Sequence, residues 1–158
     1  MEHASPQDLQ NYLDYTSSDP AVLDQALTRR AYLNDRQLKN SKDMTPLATL
    51  GDAVLNVIVV DHFFKEGGQT KGKLTDSKIC HVKRKQTRAF AERHSLQRFV
   101  LWGKTEIQKE QWKHDKALDT VTEALIGAIY LDAQNRGMNG MTVVRDILEK
   151  KNFFQEVP

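Results

Sequence analysis

A single cysteine in 158 residues, Cys80, excludes an internal disulfide, and the five histidines are too scattered to complete a cysteine-rich zinc site. Such sparing use of cysteine fits a reducing compartment. Charge of one sign is also scarce. The 23 basic and 21 acidic residues leave a formal charge of +2, which excludes an acidic disordered tail and a histone-like polycation alike. Any electrostatic partner must therefore be met by a local patch. The opening residues, MEHASPQDLQ, lack the basic-then-apolar order of a secretory signal, and no run approaches the roughly 18 apolar residues of a membrane span. A cytoplasmic protein with no membrane partner is expected. Internal repeats, low-complexity tracts and alternating strand patterns are missing too. What is present, 39% hydrophobic and 28% charged residues, suits one globular domain spanning residues 1–158.

The periodicity is helical throughout, so the expected fold class is all-α. Ser5-Pro6-Gln7-Asp8 reads as an N-cap, a proline at the first helical position and an acidic first turn, with Leu9 and Leu13 one turn apart. Ser17-Ser18-Asp19-Pro20 caps a second helix whose Val22, Leu23, Ala26 and Leu27 form an apolar face. A third helix runs from Thr45 or Pro46 to Phe64, ended by Gly67-Gly68. Its apolar residues surround the axis, the mark of a buried helix. Residues 74–101 read as two helices broken near His94-Ser95, and 104–116 as a polar connector. A strongly apolar helix over 118–133 and an amphipathic segment over 143–154 complete the chain.

Two acids occupy apolar helices. Asp52 lies in PLATLGDAVLNVIVV and Glu123 in DTVTEALIGAIYL, where a carboxylate is costly unless it meets a cation or is fully hydrogen-bonded. Gly51 and Gly127 lie close by, each costing about 1 kcal/mol of helix propensity against alanine, which points to close backbone approach. If the helices cross there, Asp52 and Glu123 converge on one hard cation such as Mg²⁺, which takes oxygen ligands and keeps several waters. Alternatively, Asp52 is an N-cap and Glu123 pairs with a lysine.

The basic residues cluster. Nine of them against two acids between Lys71 and Arg98 give +7, whereas residues 1–35 carry six acids against two arginines. This asymmetry suits an anionic polymer such as RNA, although a solvated helix face would share the composition. Trp102 and Trp112 flank a polar connector and could stack on bases, but tryptophans near a domain edge are more often packing residues, and no role is assigned to them.

Four segments in order resemble the endonuclease domain of the ribonuclease III family. They are LQNYLDYTSSDPAVLDQALTRRAYLND, TLGDAVL, KLTDSKICHVKRKQTRAFAERHSLQRFVLWG and DTVTEALIGAIYLD. The resemblance implies an all-helical fold and a homodimer. It also implies cleavage of double-stranded or structured RNA with Mg²⁺, or Mn²⁺ in its place, giving 5′-phosphate and 3′-hydroxyl ends. With no double-stranded-RNA-binding segment after Lys150, a standalone form is expected, with ribosomal or other structured RNA as substrate. Asp52 and Glu123 match the family's catalytic, metal-binding acids. Two family acids are replaced by Thr45 and Ala48, six and three residues before Gly51.

A third family acid, three residues before Glu123, is replaced by Thr120, with Asp119 one residue further away. Asp119 therefore points about 100° from the family direction, within reach as an outer or water-mediated ligand unless a late start or bulge restores the alignment. Ala48 and Thr120 resemble the compact Mini-III branch, while the middle segment resembles ordinary ribonuclease III. Lys83, Arg84, Lys85 and Arg88 are the expected phosphate contacts. The reduced acidic set implies weak metal binding and a high Mg²⁺ requirement or low activity. The competing expectation is a catalytically silent, RNA-binding or ribosome-associated relative.

Overall fold

Short polar side chains begin the helices where the sequence places them. In a computed structural model describing residues 3–67 and 76–155, with 76–81 and 115 described by backbone alone, Ser5 and Asp8 form a capping box at the start of α1 (Pro6–Leu13). The Asp8 N–H donates to Ser5 Oγ at 3.2 Å and the Ser5 N–H to Asp8 Oδ2 at 3.0 Å. Asp19 caps α2 (Pro20–Ala26) by accepting from the Ala21 N–H at 3.0 Å. Buried Asp43 accepts from the Thr45 N–H at 2.7 Å at the head of the next long helix. The described elements are then α3 (Arg30–Asp35), α4 (Thr45–Lys65), α5 (Asp76–Arg93), α6 (Lys104–Gln108), α7 (Asp115–Asn135) and α8 (Gly140–Lys150). Single 3₁₀ turns occupy Leu96–Phe99 and Gln111–Lys113. No strand occurs among the described residues; an isolated parallel bridge joins Thr28 and Leu101.

The all-α expectation holds, and the differences lie at short elements. Neither α3 nor α6 was expected, since six and five residues are too few to display an apolar period. α6 is held by a local cap, in which the Gly103 N–H donates to Glu106 Oε2 at 3.1 Å, and by a tertiary ion pair of Arg29 with Glu106 Oε1 at 2.6 Å. α8 begins at Gly140, earlier than the apolar pattern suggested, because Asn139 caps it through the Thr142 N–H at 3.0 Å. The break after α5 falls where it was expected, with Ser95 at φ +50. Gly67 at φ +88 follows α4, while Gly68, Lys71, Lys73 and Leu74 lie outside the described residues.

α4 and α7 pack against each other most extensively, and the other helices gather around them. Leu55, Ile58, Val59, Val121, Leu125, Phe90 and Phe153 are fully or almost fully buried in the core they share. The membrane expectation needs correction at α4, which is long and apolar enough to cross a bilayer by length and composition. Its Leu47, Val54, Leu55, Ile58 and Val59 are instead buried in this core. Nor is it buried all round. Leu50, Ala53, Val57, Val60 and Phe64 recur at spacings of three and four along a second face, where Val57 is 56% exposed and Phe64 49%.

Candidate active site

The two glycines set the site. An added Cβ on Gly51 would lie 1.7 Å from the Glu123 carbonyl oxygen, and one on Gly127 would lie 2.1 Å from that of Leu47. α4 and α7 therefore cross backbone against backbone, a separation that no side chain permits. The crossing sets Asp52, one residue beyond Gly51, beside Glu123, one turn before Gly127. Their carboxyls lie within hydrogen-bonding reach of each other. Asp52 sits well inside α4 rather than at its start, which removes the N-cap alternative.

The surroundings of the pair are unequal. The Asp52 side chain is 51% exposed, so the site opens to solvent, while Glu123 lies deeper. Burial first, and then the charges of Asp52 and Asp119, together push the Glu123 carboxyl up to about 7 against the opposing pull of Lys83. The site is short of positive charge. Two facing carboxylates, one open to water, suit a hydrated Mg²⁺, which needs oxygen donors and retains much of its water shell.

Asp119 does not complete a three-carboxylate cluster. Among the described residues no three His, Cys, Asp or Glu side chains are gathered closely enough to hold a metal ion. α7 runs without interruption from Asp115, so no late start or bulge corrects its direction. Asp119 Oδ1 instead accepts from Thr87 Oγ1 on α5 at 3.1 Å, and the charge of Asp119 still reaches Glu123. Thr120 Oγ1 donates to the Lys116 carbonyl at 2.8 Å, and Ala48 is a core residue. Thr45 is exposed on the first turn of α4.

The four expected phosphate contacts separate. Arg84 and Lys85 are exposed on α5. Arg88 Nε pairs with Glu92 at 2.9 Å, and its guanidinium donates to the Lys113 carbonyl at 3.2 Å. Lys83 departs from the expected exposed face: it is 8% exposed, with Nζ 2.5 Å from Asp52 Oδ1. The lysine partner anticipated for Glu123 thus bonds to Asp52. Lys83 and Thr87 were missed as parts of this site. Their signal was position, since 83 and 87 share one stripe of α5 with buried Phe90. Side chains of Lys78 and Cys80 lie outside the described residues. Trp102 is a packing residue, its Nε1 donating to the Gln97 carbonyl at 2.9 Å and its ring 5.7 Å from that of Trp112.

Comparison with known proteins places the chain in a family. Residues 19–151 match the family model for Ribonuclease-III-like proteins. The chain is 33% identical over 137 residues to Ribonuclease 3 of Leuconostoc mesenteroides, covering 86% of this chain and 56% of that protein. It is 32% identical over 148 residues to Ribonuclease 3 of Listeria monocytogenes serotype 4a, covering 93% and 62%. It thus spans between half and two thirds of the length of these relatives. The crystal structure of the nuclease domain of ribonuclease III from Campylobacter jejuni superposes with a TM-score of 0.76 at 26% identity, covering 96% of this chain and 97% of that one. A second structure of that domain, with a TM-score of 0.74 at 27% identity, covers 92% and 96% and concerns flexibility in a region involved in dimer formation.

Proposed function

Because this chain belongs to the ribonuclease III-like family, we propose that it is a Mg²⁺-dependent endoribonuclease acting on double-stranded or structured RNA, ribosomal RNA included. The observation that carries the reading is the glycine crossing, which sets Asp52 and Glu123 face to face in an opening short of positive charge. Asp52 and Glu123 would hold Mg²⁺, or Mn²⁺ in its place. When bound, the ion supplies an activated water and a counter-charge for the reacting phosphate. Asp119, oriented by Thr87, adds negative charge behind Glu123 and serves as an outer, water-mediated ligand. Arg84, Lys85 and Arg88 would meet the backbone of an A-form duplex, which proteins read chiefly by shape and phosphate.

Incubating labelled duplex RNA with the protein across a Mg²⁺ titration, beside Asp52→Asn and Glu123→Gln, tests this directly. Metal-dependent cutting that falls on the order of a hundredfold in each variant is expected. Binding without cutting at any Mg²⁺ concentration favours the silent, RNA-binding reading, for which the Lys83–Asp52 ion pair speaks, since it fills half of the acidic pair with an internal cation.

The protein acts as a homodimer through the second face of α4, where exposed Ala53, Val57 and Phe64, flanked by half-buried Leu50 and Val60, make an apolar stripe that opens to solvent. A Val57→Lys substitution should shift the sedimenting species to the monomer; an unchanged dimer would place the interface elsewhere.

A further inference from the structure

The acidic pair holds a cation of its own. Lys83 Nζ lies 2.5 Å from Asp52 Oδ1, and its side chain is 9% exposed against 51% for Asp52. A lysine on a helix surface ordinarily carries its ammonium out to water along an apolar stem. This one is turned inward on the same stripe of α5 as buried Thr87 and Phe90. Its charge also acts on Glu123, against the combined influence of burial, Asp52 and Asp119. One ammonium thus serves both carboxylates of the site.

A divalent cation approaching Asp52 needs the same oxygen. Mg²⁺ binds carboxylate oxygens at roughly 2.0–2.1 Å with near-octahedral demands, so it cannot take the Oδ1 direction occupied by the ammonium. Two cations drawn to one carboxylate also repel each other. Resting on the reading that Asp52 and Glu123 bind Mg²⁺, we propose that Lys83 is the resident cation of the site. In the metal-free protein it orients and neutralises Asp52, and it competes with the divalent ion for that carboxylate, leaving Oδ1 when the ion enters. Lys83 is therefore a positioning residue that sets the metal requirement. Weak metal binding then follows from competition, whereas a shortage of acidic ligands alone predicts unchanged binding in a lysine variant.

The decisive measurement is Mn²⁺ binding, read by electron paramagnetic resonance of the free ion, for wild type, Lys83→Met and Lys83→Arg, with duplex cleavage in Mg²⁺ assayed in parallel. Competition predicts binding on the order of tenfold tighter in Lys83→Met and near wild type in Lys83→Arg. Equal or weaker binding in Lys83→Met overturns the assignment. If wild type still cuts in Mg²⁺, the nuclease reading survives that result, whereas absence of both binding and cutting in every protein removes the two together. Should Lys83→Met fail to fold by circular dichroism, the wild-type protein decides. The Lys83 Nζ–H resonance must move or vanish as Mg²⁺ is added, and a resonance untouched at saturating Mg²⁺ overturns the proposal.

Discussion

Two acids on one helix have opposite fates. Asp132 and Glu123 both lie among apolar residues of α7, little more than two turns apart. Asp132 is 1% exposed yet saturated with donors. Ser18 Oγ at 2.6 Å, the Ser18 N–H at 2.9 Å and the Asp19 N–H at 3.2 Å reach its Oδ1, and the Tyr15 hydroxyl donates to Oδ2. Burial pushes the Asp132 carboxyl up, but these bonds outweigh it and hold it below its ordinary value. The same contact, after burial, raises the Tyr15 hydroxyl to about 12. Glu123 meets Asp52 and Asp119 instead, opposed by the charge of Lys83. Depth alone does not decide what a buried acid is for. A carboxylate supplied with donors ties segments together, here the 15–19 turn to α7; one left among other acids seeks a proton or a cation.

This contrast breaks most readily at Asp132. Asp132→Ala strands several donors and should destabilise the protein by about 3 kcal/mol in urea unfolding, whereas Glu123→Gln should lie within about 0.5 kcal/mol of wild type or above it. Equal losses in the two variants would erase the distinction.

The pH dependence sharpens it, because the two slopes have opposite signs. Asp132 is depressed from 3.8, so its contribution is complete above that value and is lost as the pH falls through the lower folded one. Glu123 is raised from 4.5 to about 7, so between those values the folded protein holds a proton that the unfolded chain does not. Its influence makes stability fall as pH rises across that window. Unfolding measured in chelator should show both slopes. Asp132→Asn should flatten the acid limb and Glu123→Gln the neutral one; a neutral limb that persists in Glu123→Gln assigns that slope to another group.

A smaller loss than at Asp132 belongs to Thr87→Val, which removes the hydroxyl facing Asp119 while keeping the shape. A loss of about 1 kcal/mol is expected, with a higher Mg²⁺ requirement for cleavage. An unchanged Mg²⁺ requirement would confine Thr87 to packing.

Much of the fold was legible because its signals are local. Ser5, Asp19 and the run from Thr45 announce helix starts through capping chemistry that acts within three residues. α3 and α6 were not legible, since they are shorter than two turns and α6 depends on Arg29, far away in the chain. In the site, Asp52 and Glu123 stood out as acids in apolar surroundings, and the adjacent glycines foretold the crossing that joins them. Asp132 stood in surroundings just as apolar and gave no hint of its different role, because its donors come from residues more than a hundred positions away.

Residue order by itself determined the helical class, the main helix starts and the closeness of α4 to α7, since capping, periodicity and the lack of a Cβ are properties of a few neighbouring residues. Only the tertiary structure decided that Lys83 turns into the acidic pair rather than out to solvent, that Asp119 faces Thr87, and that α4 leaves Val57 and Phe64 exposed. Each of these depends on which helix stands opposite, and electrostatic neighbours across such an interface leave no periodic trace in the chain.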